Sequence, residues 1–505
     1  MARNDAALGT AAGAAEGVVL EVEVAIVGAG ISGIGAAIDL LERNRKSFVL
    51  LERGTDMGGT WRDNTYPGVA VDIPFASYCF SYETEFPWSR VFAPGHEIQA
   101  YIRHCVGKYG VAPYIRYQSQ VVRARFDEGG DRWLTELADG TIVSSRYLIA
   151  ATGLFTFPKR PDIPGLETFA GKVMHSAQWD HGYAFAGKRT AVIGTGASAV
   201  QIIPELAGRT AHLTVFQRTP IWISPRPDFP LAPFIRRFGP VRATLRFLSE
   251  LGLEVLTFAI ANYRRLPVLV RTVQGAIGQF MRKQIRDPAL ESRLLPDYSL
   301  GCKRPTPSNT YLGTFARHDV NLVTDAIDRI VPEGVRTCDG ALHAVDALVL
   351  ATGFLTTERG TGPAFEVFGR GGAELGHFWE DHRRQAYQGV SVPGYPNFFL
   401  IGGPFAGGFN WFAMLEANLD HIMRCLEEAG KRGVTRVEVR QDAHDRFMSY
   451  IWRRAEGTIF KDSSCATARS YYLDRHGDPS LPLPQTPWWR VFHGAAAGTR
   501  AYRFG

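Results

Sequence analysis

Two glycine triplets, each followed at a fixed distance by a charged residue, set the chemistry open to this chain. Gly28, Gly30 and Gly33 follow the apolar run Val24–Val27, and an amphipathic segment then leads to a second apolar run ending at Glu52. Strand, glycine turn, helix and strand is the context in which this spacing binds a dinucleotide. The first glycine permits the tight turn, the second admits a pyrophosphate, and the third lets the helix pack on its strand. The helix N-terminus then offers N–H groups and a positive dipole end to the phosphates. A second copy, TAVIGTGASAV, carries Gly194 and Gly196 with Ala199 in third place, and its next strand ends at Arg218. Glu52 stands 24 positions after Gly28, and Arg218 stands 24 after Gly194. A carboxylate in that slot accepts ribose hydroxyls and repels a 2′-phosphate; a guanidinium binds the phosphate through parallel hydrogen bonds. The first unit is therefore predicted to take FAD and the second NADPH.

Other candidate residues lie between and beyond the triplets. Gly58 and Gly59, then Thr60 and Trp61, suggest backbone pressed against a ligand with a hydroxyl and an indole beside it. Asp72 is an acid between Val71 and Ile73 that reads equally well as a turn cap. Tyr78 opens an aromatic-rich stretch running to Trp88, which fits a core wall more readily than a pocket lining. Lys303 and Arg304 are neighbouring cations in a Gly/Pro setting, and such pairs are usually solvated surface.

The elements that position these residues follow from patterning. His96–Gly110 patterns as a helix. Gln118–Phe126, Arg132–Ala138 and Ile142–Ala150 read as a small antiparallel sheet with an Asp139-Gly140 turn. Asp139 stands 14 positions before Gly153 and Asp339 stands 14 before Gly353, so both units are expected to close through a hairpin and an Ala-Thr-Gly junction. A further strand runs into Gly402, Gly403 and Pro404, ahead of a long helix from about Trp411. The expected fold class is α/β, with two Rossmann-like dinucleotide-binding domains and a helical insertion in the NADPH domain. The boundaries expected are a disordered leader over residues 1–20, an FAD domain over 21–157 and 345–505, and an NADPH domain over 158–344. The insertion covers about 225–300, entered through prolines 225, 227, 230, 233 and 240.

Composition narrows the classes. The 505 residues exceed one typical domain, and 45% apolar with 21% charged residues is ordinary for a globular protein. The net charge of +6 is interspersed, which argues against a nucleic-acid partner. Six well-separated cysteines without a C-x-x-C pair fit reduced thiols in a cytoplasmic chain, and no metal site is expected. No membrane span is expected. The nearest approach, Leu251–Val273, is interrupted by polar residues and Pro267, and leaves contact with a membrane surface open.

The segment Phe169–Asp180 (FAGKVMHSAQWD) matches at every fixed position the fingerprint F-x-G-x-x-x-H-x-x-x-W-[P/D] of type I Baeyer–Villiger monooxygenases. With GGTW, YPGVAVD, GCKRP, ATGF and YPNFFLIGGP, the chain resembles that family over most of residues 20–475. The resemblance implies an FAD-dependent, NADPH-consuming enzyme that uses O2 to convert a ketone into an ester or lactone by way of a peroxyflavin. It implies that Arg304 sits over the flavin and stabilises the developing anion, that Asp72 orients Arg304, and that His175 couples domain positioning to catalysis. It places Gly59, Thr60, Trp61, Asp72, Tyr78 and Val121 at the flavin. Thr195, Ser198 and Gln201 fall at the NADPH site, where Arg218, Thr219 and Lys303 serve the 2′-phosphate. Ala70-Val71 departs from the Arg-Cys of other members. A related monooxygenase acting on sulfur or nitrogen, a flavoprotein reductase and a non-catalytic flavin sensor are the alternatives. Missing C-x-x-C spacing weighs against a disulfide reductase.

Overall fold

The computed structural model describes residues 18–505 except Pro233, Phe234, Arg236, Arg237 and Arg286. Most of the expected leader, residues 1–17, lies outside the described residues, as does Pro233. Residues 18–20, expected to belong to that leader, instead begin the first strand.

The first unit runs β1 (Val18–Val27), α1 (Ile31–Glu42), β2 (Phe48–Leu51), α2 (Gly95–Lys108), β3 (Ile115–Arg116), β4 (Val121–Asp127), β5 (Arg132–Leu137) and β6 (Ile142–Ala150). β1 lies between β2 and β6 and is parallel to both. Val24, Ala25 and Ile26 are fully buried, as a central strand covered on both faces requires. The β4–β5–β6 hairpins are antiparallel, as patterning suggests, but they form no separate small sheet. β6 is at once the last hairpin strand and the parallel neighbour of β1, so the hairpins extend the main sheet.

The second unit runs β7 (Lys172–His175), β8 (Arg189–Ile193), α3 (Ala197–Leu206), β9 (His212–Phe216), α4 (Gly239–Ala261), α5 (Pro267–Gln284), β10 (Val320–Val323) and β11 (Ala347–Leu350). Its sheet is parallel in the order β10-β9-β8-β11-β7. The expected domain boundary at 345 needs correction, because β11 pairs with β7 and β8 in the second sheet. The chain returns to the first unit only afterwards, through β12 (Glu366–Phe368) beside β4 and β13 (Phe398–Leu400) beside β6. α6 (Trp411–Arg432) then packs on α1. α4 and α5 form the helical insertion between β9 and β10.

The reduced-thiol expectation also needs correction. Cys302 and Cys465 form a disulfide across a sequence separation of 163, with Cα atoms 5.1 Å apart. Cys79, Cys105, Cys338 and Cys425 are free, as expected. Spacing could not reveal this pair because the fold, not the local sequence, brings the two segments together.

Candidate active site between the two nucleotide units

A cavity of about 1370 Å³ lies where the two glycine turns face each other. Gly28 has φ +106°, and a Cβ there would stand 2.7 Å from the Ala151 carbonyl oxygen. Gly194 repeats the geometry at φ +116°, its Cβ position 2.4 Å from the Ala351 carbonyl oxygen. Both turns are thus pressed against the strand that re-enters through an Ala-Thr-Gly junction, which explains the matched spacing. At Gly196 a Cβ would meet nothing within 4 Å, so backbone there is open to a ligand. Gly33 does not reach the cavity; it lies buried where α1 crosses the turn, in the packing role expected of it.

At the end of β2 the Glu52 carboxylate is buried and held on both oxygens. Oε2 accepts from the Ala29 N–H at 2.9 Å, and Oε1 accepts from the Gly54 N–H at 2.8 Å and Arg62 Nη1 at 2.7 Å. Glu52 lines the same cavity, where a carboxylate can accept ribose hydroxyls. Gly59, Thr60, Trp61, Tyr78 and Val121 also line it. Trp61 Nε1 donates to the Tyr78 hydroxyl at 3.0 Å, and Tyr78 stands edge-on to Phe412 with centroids 5.0 Å apart, so both rings are fixed. This wall, with its open glycine backbone, fits a flavin dinucleotide.

On the opposite side Thr195 donates from its hydroxyl to the Thr219 carbonyl at 2.8 Å, and Ser198 lines the cavity. Gln201 also makes contacts that the sequence did not suggest. Its Nε2 donates to the Ala70 carbonyl at 2.9 Å, and its Oε1 accepts from the Tyr66 hydroxyl at 3.0 Å. The side chain therefore clasps the first unit while also lining the cavity.

Arg218, Lys303 and Arg469 line one region of the cavity, and among the described residues none has an acidic partner. Burial, and then the charges of Arg218 and Arg469, push Lys303 down to about 8. Burial, and then Arg469, also lowers Arg218. Uncompensated cations at this position fit a phosphate dianion, as on NADPH.

Between the two walls Arg304 grips Asp72. Its Nε donates to Oδ2 at 2.5 Å and its Nη2 to Oδ1 at 2.8 Å, with the guanidinium 5.2 Å above the Phe409 ring centroid. Burial works against the guanidinium charge, but Asp72 outweighs it and holds the pKa above its ordinary value. Asp72 is thus a partner of Arg304 rather than a simple turn cap. The cation remains charged, and Arg304 and Asp72 both line the cavity.

His175, expected among the catalytic residues, is buried and does not line the cavity. Its Nδ1 accepts from the Ala177 N–H at 3.1 Å, which leaves Nε2 to donate to the Gly353 carbonyl at 3.1 Å. Desolvation lowers its pKa and favours the neutral ring. It ties the end of β7 to the junction by which the chain leaves the second unit, which makes it a positioning residue.

Sequence reasoning missed Arg62, Arg469 and the tyrosine pair Tyr471-Tyr472, which lines the cavity beside Arg304. No local signal marked Arg469 or the tyrosine pair; the fold brings them to the site through the disulfide. Cys465 lies four residues before Arg469, and Cys302 directly precedes Lys303 and Arg304. The disulfide, with the Ser464 hydroxyl donating to the Ser299 hydroxyl at 3.0 Å, ties the C-terminal segment to this wall.

Two dinucleotide units turned toward one cavity, with a fixed arginine–carboxylate pair between them, define a two-nucleotide oxidoreductase. The family model described as pyridine nucleotide-disulphide oxidoreductase matches residues 25–238. A Baeyer–Villiger monooxygenase of Streptomyces coelicolor is 36% identical over 471 residues, 92% of this chain and 89% of that protein. The structure of an oxidised steroid monooxygenase bound to NADP superposes with a TM-score of 0.84 at 28% identity, covering 96% of this chain and 99% of the other. OTEMO in complex with FAD and NADP gives a TM-score of 0.83 at 26% identity, with the same coverage of both chains. The chain belongs to the Baeyer–Villiger monooxygenase family.

Proposed function

We propose that this chain is an FAD- and NADPH-dependent Baeyer–Villiger monooxygenase whose substrate is an apolar ketone, with Arg304, oriented by Asp72, as its central catalytic group. When bound, NADPH supplies hydride and FAD activates O2, chemistry that no side chain provides. Gly28, Gly30 and Glu52 would hold the FAD pyrophosphate and ribose, with Trp61 and Tyr78 fixing the wall beside them. Gly194, Gly196 and the cations Arg218 and Lys303 would hold NADPH. Arg304 places a permanent positive charge where negative charge develops on the attacking oxygen and on the ketone oxygen, and a preorganised charge needs no reorientation during the reaction. Asp72 restricts Arg304 to one orientation without neutralising its outward N–H groups. Phe409, Ile260, Phe460 and Leu483 make much of the cavity lining apolar, which excludes water and suits a hydrophobic ketone. The observation that carries this reading is the two-point Arg304–Asp72 contact at the meeting of the two nucleotide walls.

The test supplies purified protein with FAD, NADPH and O2, then offers apolar ketones and matched thioethers or amines. Ester or lactone formation with NADPH consumption is the expected result. Sulfoxide or N-oxide products with inert ketones would refute the ketone assignment.

A further inference from the structure

The helical insertion has two dissimilar faces. On α4, Thr257, Ile260 and Ala261 line the cavity. The opposite face of the same helix leaves Phe247, Leu248, Leu251, Val255 and Phe258 exposed at helical spacing, Val255 by 59%. The patch continues through Leu266 in the connection and along α5 through Val268, Leu269 and Val273, with Val268 exposed by 62%. Scattered exposed apolar residues are ordinary, but a run of this length on two successive helices marks an interaction surface.

Charge identifies the partner. Residues 255–284 contain no Asp or Glu but carry Arg264, Arg265, Arg271, Arg282 and Lys283. Arg282 pairs with Glu291 at 2.9 Å. Arg264, Arg265 and Arg271 are exposed and have no acidic partner among the described residues. They sit at the connection and on the first turns of α5, beside the apolar residues. A second copy docked by the same face would bring like charges together, whereas anionic lipid headgroups complement them and the acyl layer receives the apolar side chains. Neither helix is long and apolar enough to cross a membrane, so the hairpin would lie in the interface.

We propose that the α4–α5 hairpin docks this protein on an anionic membrane surface, with the inner face of α4 walling the cavity that takes a lipid-dissolved ketone. The substrate half rests on the proposed function; the docking half does not.

The test uses the full chain loaded with FAD, sedimented with phosphatidylcholine vesicles and with vesicles also containing phosphatidylglycerol, at low and high salt. The proposal expects preferential sedimentation with anionic vesicles, weakened by salt. Arg264→Ser and Arg265→Ser should each weaken binding about fivefold, and Val255→Asp with Val268→Asp should abolish it. Flavin content and ketone oxidation in vesicle-free buffer should stay unchanged in these variants. Equal sedimentation with neutral and anionic vesicles would overturn the proposal. So would a dimer in sedimentation velocity that Val255→Asp dissolves, with no vesicle binding by the parent protein. Vesicle binding without ketone oxidation would uphold docking and remove only the substrate half.

Discussion

Asp72→Asn keeps the shape of the Arg304 partner and deletes its charge. Two charge-assisted hydrogen bonds, at 2.5 and 2.8 Å, join the parent pair. Asparagine keeps one acceptor oxygen but turns an amide N–H toward a guanidinium N–H, so one bond is lost and the other weakens. A hydrogen bond to a charged group contributes roughly 1.5–3 kcal/mol. The two side chains are 21% and 22% exposed, so solvent screens part of that loss. A cost of about 2 kcal/mol follows, and if it falls wholly on the placement of Arg304 the ester-forming rate drops roughly thirtyfold. The nucleotide-holding residues are untouched, so NADPH should still be consumed, increasingly with release of hydrogen peroxide instead of ester. Gas chromatography of ester set against absorbance of NADPH gives the coupling ratio directly. A variant with the parent rate and the parent coupling ratio would refute the claim that Asp72 positions the catalytic arginine.

Other outcomes follow from the same geometry. Arg218→Gln should raise KM for NADPH tenfold or more, while the exposed Arg469, replaced by Gln, should raise it about threefold; KM for NADH should change little in either. Lys303 is held at about 8, so in the free site it is mostly charged at pH 7 and loses that charge as pH rises through that value, while Arg218 and Arg469 stay charged. Affinity for 2′,5′-ADP, measured by calorimetry, should therefore fall above pH 8 while affinity for ADP stays level, and parallel curves would contradict the phosphate role. Thiol titration of the denatured chain should find the four free cysteines before reduction and all six afterwards. Six reactive thiols in the unreduced protein would remove the Cys302–Cys465 link.

What was legible in the sequence was mostly local. The β1–α1–β2 unit and its copy could be read because strand, glycine turn, helix and charged terminus are contiguous, and steric contact at Gly28 and Gly194 permits little else. Aligning the two units in sequence also set a carboxylate, Glu52, against a guanidinium, Arg218, in the same slot, and both line the cavity. Long-range pairing was less legible. Asp72 and Arg304 are 232 residues apart, and only family resemblance joined them before the fold did. The disulfide, the place of β11 in the second sheet and the Gln201 clasp on Ala70 depend on packing between segments, for which local patterning carries no signal. Arg469 carries no motif of its own, and only the folding of the segment after Cys465 brings it near Lys303.

On the proposed function, this cavity transfers an oxygen atom from O2 to a ketone under the control of Arg304. The most direct measurement supplies isotopically labelled O2, NADPH and an apolar ketone to the FAD-loaded enzyme, then examines the product by mass spectrometry alongside Arg304→Ala. One labelled oxygen atom in the ester, with ester nearly absent in the variant while NADPH is still oxidised, is the predicted result. Unlabelled product, or labelled ester formed equally well without Arg304, would contradict it.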